Sequence, residues 1–237
     1  MPTSCHVCSV IPSCIAAGAK KEGLDRFSDA LRRYSVKGKG RTIFNQGEPN
    51  EAFVFLCAGV AKVVKSLPDG RDVILEVLSA SSILNVPPAG KTSQHPFSAV
   101  TLSEVTELAS IKKEDLFNLL DSNPTLGDNL CVHVSRRFVT AFNMLSSMQL
   151  GVKQRILTVL SFFRSAWKPK NGARYVEIPL TQGELAQLVQ TTPETISRTL
   201  RRLREEQHVR VGPKGELFVA EAALRNYLDE EKHRRTT

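Results

Sequence analysis

The spacing of apolar residues changes twice along this 237-residue chain. Between Thr42 and Ile111, short β-type runs recur: Thr42–Phe44, Ala52–Leu56, Val60–Val64, Val73–Val77, Phe97–Thr101 and Val105–Ile111. Turn signals separate them at Gln46-Gly47-Glu48-Pro49, Ala58-Gly59, Pro68-Asp69-Gly70 and Pro87-Pro88-Ala89-Gly90. Many short strands at such intervals predict an all-β roll or sandwich. From Asn123-Pro124 the period lengthens, and Leu126, Leu130, Val134, Phe138, Ala141, Leu145 and Met148 recur every three or four residues. Pro124 suits a first helical turn. The stripe is the narrow seam of a dimerisation helix, sustained over about three heptads. It presents no acidic residue to a partner helix, so a dimer is expected to persist without any cofactor. Gly151 reads as a hinge and Val152–Trp167 as a further amphipathic helix. Upstream, Leu24–Tyr34 reads as a short amphipathic helix, and residues 1–23 have no clear period.

A third pattern follows. Thr181-Gln182-Gly183-Glu184 is a capping box ahead of the apolar face Leu185, Ala186, Leu188 and Val189. Gln190-Thr191-Thr192 is a turn, with Thr192 as N-cap and Pro193 at the first position of a second helix. There Ile196, Leu200 and Leu203 face inward, while Glu194, Ser197 and Arg198 share one exposed face near the N-terminal end. This is a helix-turn-helix whose second helix enters the major groove. Arg198 can donate two hydrogen bonds to guanine, Glu194 can accept from cytosine, and Ser197 can meet base or phosphate. Arg201, Arg202 and Arg204 suit phosphate contacts. Val209–Val211 and Leu217–Val219, joined by Gly212-Pro213-Lys214-Gly215, predict the hairpin of a wing.

The net charge of +8 follows this organisation. Residues 1–150 carry 16 basic and 14 acidic side chains, whereas residues 151–237 carry 16 and 10. The excess lies with the helix-turn-helix, as binding to phosphates requires. Apolar residues, 41% of the chain, suffice for packed cores, but no run reaches the length of a membrane span. Met1–Ile15 lacks the basic leader of a signal peptide, so a cytoplasmic location is expected. In that compartment grouped cysteines more often bind metal or do redox chemistry than form structural disulfides. Three of the five cysteines stand together as Cys5-x2-Cys8-x5-Cys14. His6, His95, His133, His208 and His233 are scattered, and no glycine-rich nucleotide loop or nucleophile motif appears. An enzyme is not expected.

The cysteine spacing and Pro193-Glu194-Thr195-Ile196-Ser197-Arg198 together resemble the CRP/FNR superfamily of transcription regulators, most of all its fumarate and nitrate reduction type. The resemblance covers about residues 5–230. It implies an α+β fold: an N-terminal β-roll sensor domain (a jelly roll of the cyclic-nucleotide-binding kind), a long dimerisation helix and a C-terminal winged helix-turn-helix. The segments would be 1–23 (cysteine-rich), 24–122 (roll), 123–150 (dimer helix) and 151–237 (DNA-binding). The resemblance further implies a [4Fe-4S] cluster, oxygen sensing, a palindromic DNA site of the TTGAT-N4-ATCAA type and RNA polymerase as a partner. It leaves activation and repression both open.

Two departures matter. The family draws its fourth cysteine ligand from late in the roll, where this chain has Ala109. The remaining candidates are Cys57, which is preferred because its strand should run beside Val105–Ile111, then Cys131, Asp128 and His133. A labile cluster, a nitric oxide or general redox signal, a zinc site, a thiol–disulfide switch and vestigial cysteines all remain open. The second departure is that no Arg precedes Ser98 and no Glu stands on the preceding loop, so cyclic nucleotide binding is not expected.

Overall fold

The computed structural model describes residues 4–86, 93–162, 175–212, 216–220 and 222–223. The chain divides into two compact units, residues 1–140 and 141–237.

The first unit is built on two four-stranded antiparallel sheets. One has the order β1 (Arg32–Lys37), β8 (Val105–Lys112), β3 (Ala52–Ala58), β6 (Ile83–Asn85). The other runs β2 (Thr42–Phe44), β7 (Ser98–Thr101), β4 (Val60–Ser66), β5 (Asp72–Ser79). Side chains alternate across a strand, and β3 shows what that does here. Val54 and Leu56 face the roll interior with Phe44, Ala61, Leu84, Ala99 and Leu108, which come from both sheets. Phe53 and Phe55 face outward, with Ala109 and Ile111 of β8. A second core covers that outer face. It is made by Phe27 of α1 (Lys21–Ala30), Leu116 and Leu119 of α2 (Lys113–Ser122), Leu126 of α3 (Pro124–Ser147), and Cys5, Ile15 and Ala16 of the N-terminal segment. The cysteine-rich segment is therefore part of a core.

All six expected strands form. The helix expected over Leu24–Tyr34 stops at Ala30, because Arg32 to Lys37 pair with β8 in an unbroken six-residue ladder. Two strands, β1 and β6, had no pattern of their own strong enough to announce them.

The expected seam of α3 is split between two jobs. Leu126 is buried in the second core and Leu130 packs against it. Phe138 and Leu145 are 63% and 64% exposed, and Val132, Val134, Val139 and Phe142 are exposed beside them. The first turns of the helix are thus fixed to their own unit, and the later turns carry an exposed apolar face.

In the second unit, α4 (Val152–Phe162) precedes α5 (Gln182–Leu188) and α6 (Pro193–Glu205). Trp167, expected at the end of the α4 helix, lies outside the described residues. The hairpin β10 (Val209–Val211) and β11 (Leu217–Ala220) is antiparallel, and β9 (Tyr175–Ile178) adds a third strand to the wing. Among the described residues no helix is long and apolar enough to cross a membrane.

Candidate functional sites: a four-cysteine cavity and a DNA-reading helix

The N-terminal segment winds through short turns rather than a regular helix. Ser4 caps the first 3-10 turn, Cys5–Val7, and Pro12 sits at the start of the second, Ile11–Ser13. Backbone bonds link the turns: Cys8 N–H to Cys5 C=O at 3.2 Å, Ile11 N–H to Cys8 C=O at 3.2 Å, and Cys14 N–H to Ile11 C=O at 3.0 Å. Contacts with the rest of the unit fix the segment in place. The Cys5 N–H donates to Ser28 Oγ at 3.2 Å, and His6 Nε2 meets Asp25 Oδ1 on α1 at 2.5 Å. Asn129 Nδ2, on α3, donates to the carbonyls of both Ile15 and Ala17 at 2.8 Å.

Cys5, Cys8 and Cys14 line one cavity, and Cys57 lines it too. The rest of its wall includes Phe27, Leu31, Phe55, Arg33 and Ala109. Cys57 reaches the cavity through an irregularity in its strand. Phe55 pairs with Ala109 and Leu56 with Leu108, but Glu107 is met by Ala58, so Cys57 is the extra residue of a β-bulge. Gly59 helps to set that position: its φ is +92°, and a Cβ there would come within 2.9 Å of the Val105 carbonyl oxygen. A side-chain-bearing residue at this turn would push β3 away from β8.

Burial in the cavity perturbs two of its thiols. Burial pushes the Cys57 thiol up to about 12, and nearby Cys8, Cys14 and Cys5 add to the shift while Arg33 opposes it. Burial also raises Cys14. Four soft sulfur donors in an apolar pocket are a donor set suited to an iron–sulfur centre. Among the described residues no three or more His, Cys, Asp or Glu side chains are grouped so that they could hold a metal ion. The other fourth-ligand candidates lie elsewhere. Cys131 and Asp128 are exposed on α3, and neither they nor His133 lines the cavity. His133 faces the Ser13 backbone, and burial and the Arg136 charge lower its pKa.

In the second unit, the capping box is complete. The Glu184 N–H donates to Thr181 Oγ1 at 3.2 Å, and the Thr181 N–H donates to Glu184 Oε2 at 2.8 Å. Gln190 takes a φ of +50° in the turn. Thr192 caps α6, accepting from the Thr195 N–H at 3.3 Å, and Pro193 occupies the first turn. Ile196, Leu200 and Leu203 are buried, while Glu194, Ser197, Arg198, Arg201 and Arg202 are exposed. Bonds from its own backbone N–H and from Thr192, with the Arg198 charge nearby, hold the Glu194 carboxyl below its usual range. It therefore presents a hydrogen-bond acceptor on the exposed face of the helix. Two contacts brace α4 against this motif. Arg155 Nη1 donates to the Val189 carbonyl at 2.7 Å, and Lys153 Nζ pairs with Glu206 Oε2 at 2.6 Å.

Sequence reasoning missed Arg33, Asn129 and Ser28 as neighbours of the cysteines. No local pattern marks them, because β1, α1 and α3 meet the segment only through the tertiary fold.

Comparison with known proteins agrees with both units. Residues 36–123 match the cyclic nucleotide-binding domain family, and residues 154–227 match the Crp-like helix-turn-helix domain family. The chain is 28% identical over 171 residues to a CRP-like cAMP-activated global transcriptional regulator of Mycobacterium tuberculosis, covering 68% of this chain and 73% of that one. It is 24% identical over 218 residues to the nitrogen fixation regulation protein FixK of Bradyrhizobium diazoefficiens, covering 86% and 84%. Among solved structures, FixK2 from Bradyrhizobium japonicum superposes with a TM-score of 0.70 at 18% identity, covering 83% of this chain and 96% of that one. With a roll, a long helix and a winged helix-turn-helix in this order, the chain belongs to the CRP/FNR family of DNA-binding transcription regulators.

Proposed function

We propose that the chain is a homodimeric, sequence-specific regulator whose DNA binding is governed by a [4Fe-4S] centre held by Cys5, Cys8, Cys14 and Cys57. One observation carries this reading: four thiols from two distant stretches of sequence line a single apolar cavity. Such a centre, when bound, supplies sensitivity to oxygen or to redox state. The residues of this chain hold it and pass its state on. Asn129 fastens the segment that follows Cys14 to α3, so a change in the cysteine turns bears on the helix that carries the exposed apolar face. That face, from Val134 to Leu145, is the dimer contact. In the dimer each α6 enters a major groove. Glu194, Ser197 and Arg198 meet base edges, and Thr192, Arg201 and Arg202 lie along the backbone. Two copies read a palindrome of the TTGAT-N4-ATCAA type and meet RNA polymerase there.

The roll takes no cyclic nucleotide in this reading, although relatives carry cAMP in their names. Arg137, a cation on α3, already bonds Glu76 of β5 and the Ile83 carbonyl of β6. Phe97 occupies the position before Ser98, where a phosphodiester would need a cationic partner.

The test is iron and acid-labile sulfide content of anaerobically purified protein, with binding to the palindromic duplex before and after air. About four of each per chain, a broad absorption band that bleaches in air, and loss of DNA binding on bleaching are expected. Colourless protein that resists anaerobic reconstitution and binds the duplex equally in air overturns the iron–sulfur reading and leaves the DNA-binding assignment standing.

A further inference from the structure

Arg33 is a half-buried cation that no carboxylate among the described residues answers. On β1 it reaches the wall of the cysteine cavity. Its Nη2 donates to Cys5 Sγ at 3.2 Å and to Ser28 Oγ at 2.9 Å, and its Nη1 donates to the Ser28 carbonyl at 3.0 Å. Among the described residues no carboxylate forms an ion pair with it. Arg137, comparably buried in the same unit, is paired with Glu76. A guanidinium stays charged at any accessible pH, and withdrawing it from water costs free energy unless negative charge compensates. Neutral thiols or a disulfide would not supply that charge. Four thiolates around an iron–sulfur core carry a net negative charge and would.

We propose that Arg33 is the fixed counter-charge of the centre, donating a hydrogen bond to the Cys5 ligand sulfur and thereby setting how readily the centre is oxidised. The inference rests on the iron–sulfur reading above. Hydrogen bonds to ligand sulfurs and the net charge around them are levers on cluster potential. A cation beside the sulfurs favours the more reduced, more negative state. Its loss lowers the potential and makes the centre easier to oxidise. Ser28 positions both partners, since its hydroxyl accepts from the Cys5 N–H and from Arg33.

The experiment uses full-length protein reconstituted anaerobically with iron and sulfide, as wild type, Arg33→Gln and Arg33→Lys. Iron content, reduction potential and the decay rate of the visible band at fixed dissolved oxygen are measured, with circular dichroism as a check on folding. Arg33→Gln is expected to load iron, to show a lower potential and to bleach several-fold faster, with Arg33→Lys recovering part of both changes. A loaded Gln variant with wild-type potential and decay rate overturns this inference and leaves the cluster reading intact. Wild-type protein that takes up no iron overturns both. Should Arg33→Gln fail to fold, Arg33→Met takes its place as the uncharged variant: a lowered potential and faster bleaching support the inference, and wild-type values of both overturn it.

Discussion

On α6, the residues proposed to face DNA lie between Thr192 and Arg202, and one helix with one cap orients them all. The cysteine cavity is assembled from two 3-10 turns, a bulge more than forty residues downstream, and a guanidinium from a third element. The helix needs only its own sequence and a buried face to present its side chains. The cavity exists only when the first unit is fully packed. A surface that recognises a fixed partner can be local, whereas a pocket that must enclose a centre from several sides has to draw on distant strands.

The sharpest way to break this contrast is at the bulge. Cys57→Ser should abolish iron loading altogether, while the fold survives, because the bulged residue has no cross-strand partner. Ala109 lines the same cavity from the neighbouring strand. Adding Ala109→Cys to Cys57→Ser should therefore restore loading, as read by iron analysis and the visible spectrum. Cys57→Ser that still loads iron normally would remove Cys57 from the site.

A smaller effect is expected at the reading helix. Arg198→Ala should weaken binding to the cognate duplex by about 1–3 kcal/mol and relax selectivity at one base pair. Equal weakening on every duplex sequence would instead make Arg198 a phosphate contact. The smallest effect concerns the cap. Thr192→Ala removes the acceptor for the Thr195 N–H and should cost about 1 kcal/mol of stability. Thermal melting reads that loss, and iron content should not change.

The same contrast explains what could be read in advance. The capping box, the turn, the buried face and the exposed face of the helix-turn-helix were all legible, because each depends on residues within a few positions of one another. The roll was legible as six strands, since alternation and turn chemistry are local as well. The strand β1 was hidden inside a helical pattern, because its partner β8 is remote in sequence. The α3 seam read as one stripe. Nothing in its periodicity shows that Leu126 and Leu130 are used by the domain's own core while Phe138 and Leu145 stay exposed. Cys57 could be preferred only by reasoning about neighbouring strands. Arg33 and Asn129 gave no signal, since their backbone, hydroxyl and sulfur partners are delivered by tertiary packing.

The bulge also bears on how such a protein changes over time. A side chain within a regular ladder answers to its neighbours on both sides, so altering it strains the sheet. Cys57 is spared that obligation, being the one residue of β3 left over in the pairing with β8. If Cys57 is a ligand as proposed, that position can be substituted while the roll keeps its ladder with β8. On the proposed reading, the sensing residue and the structural ladder can thus vary independently of each other.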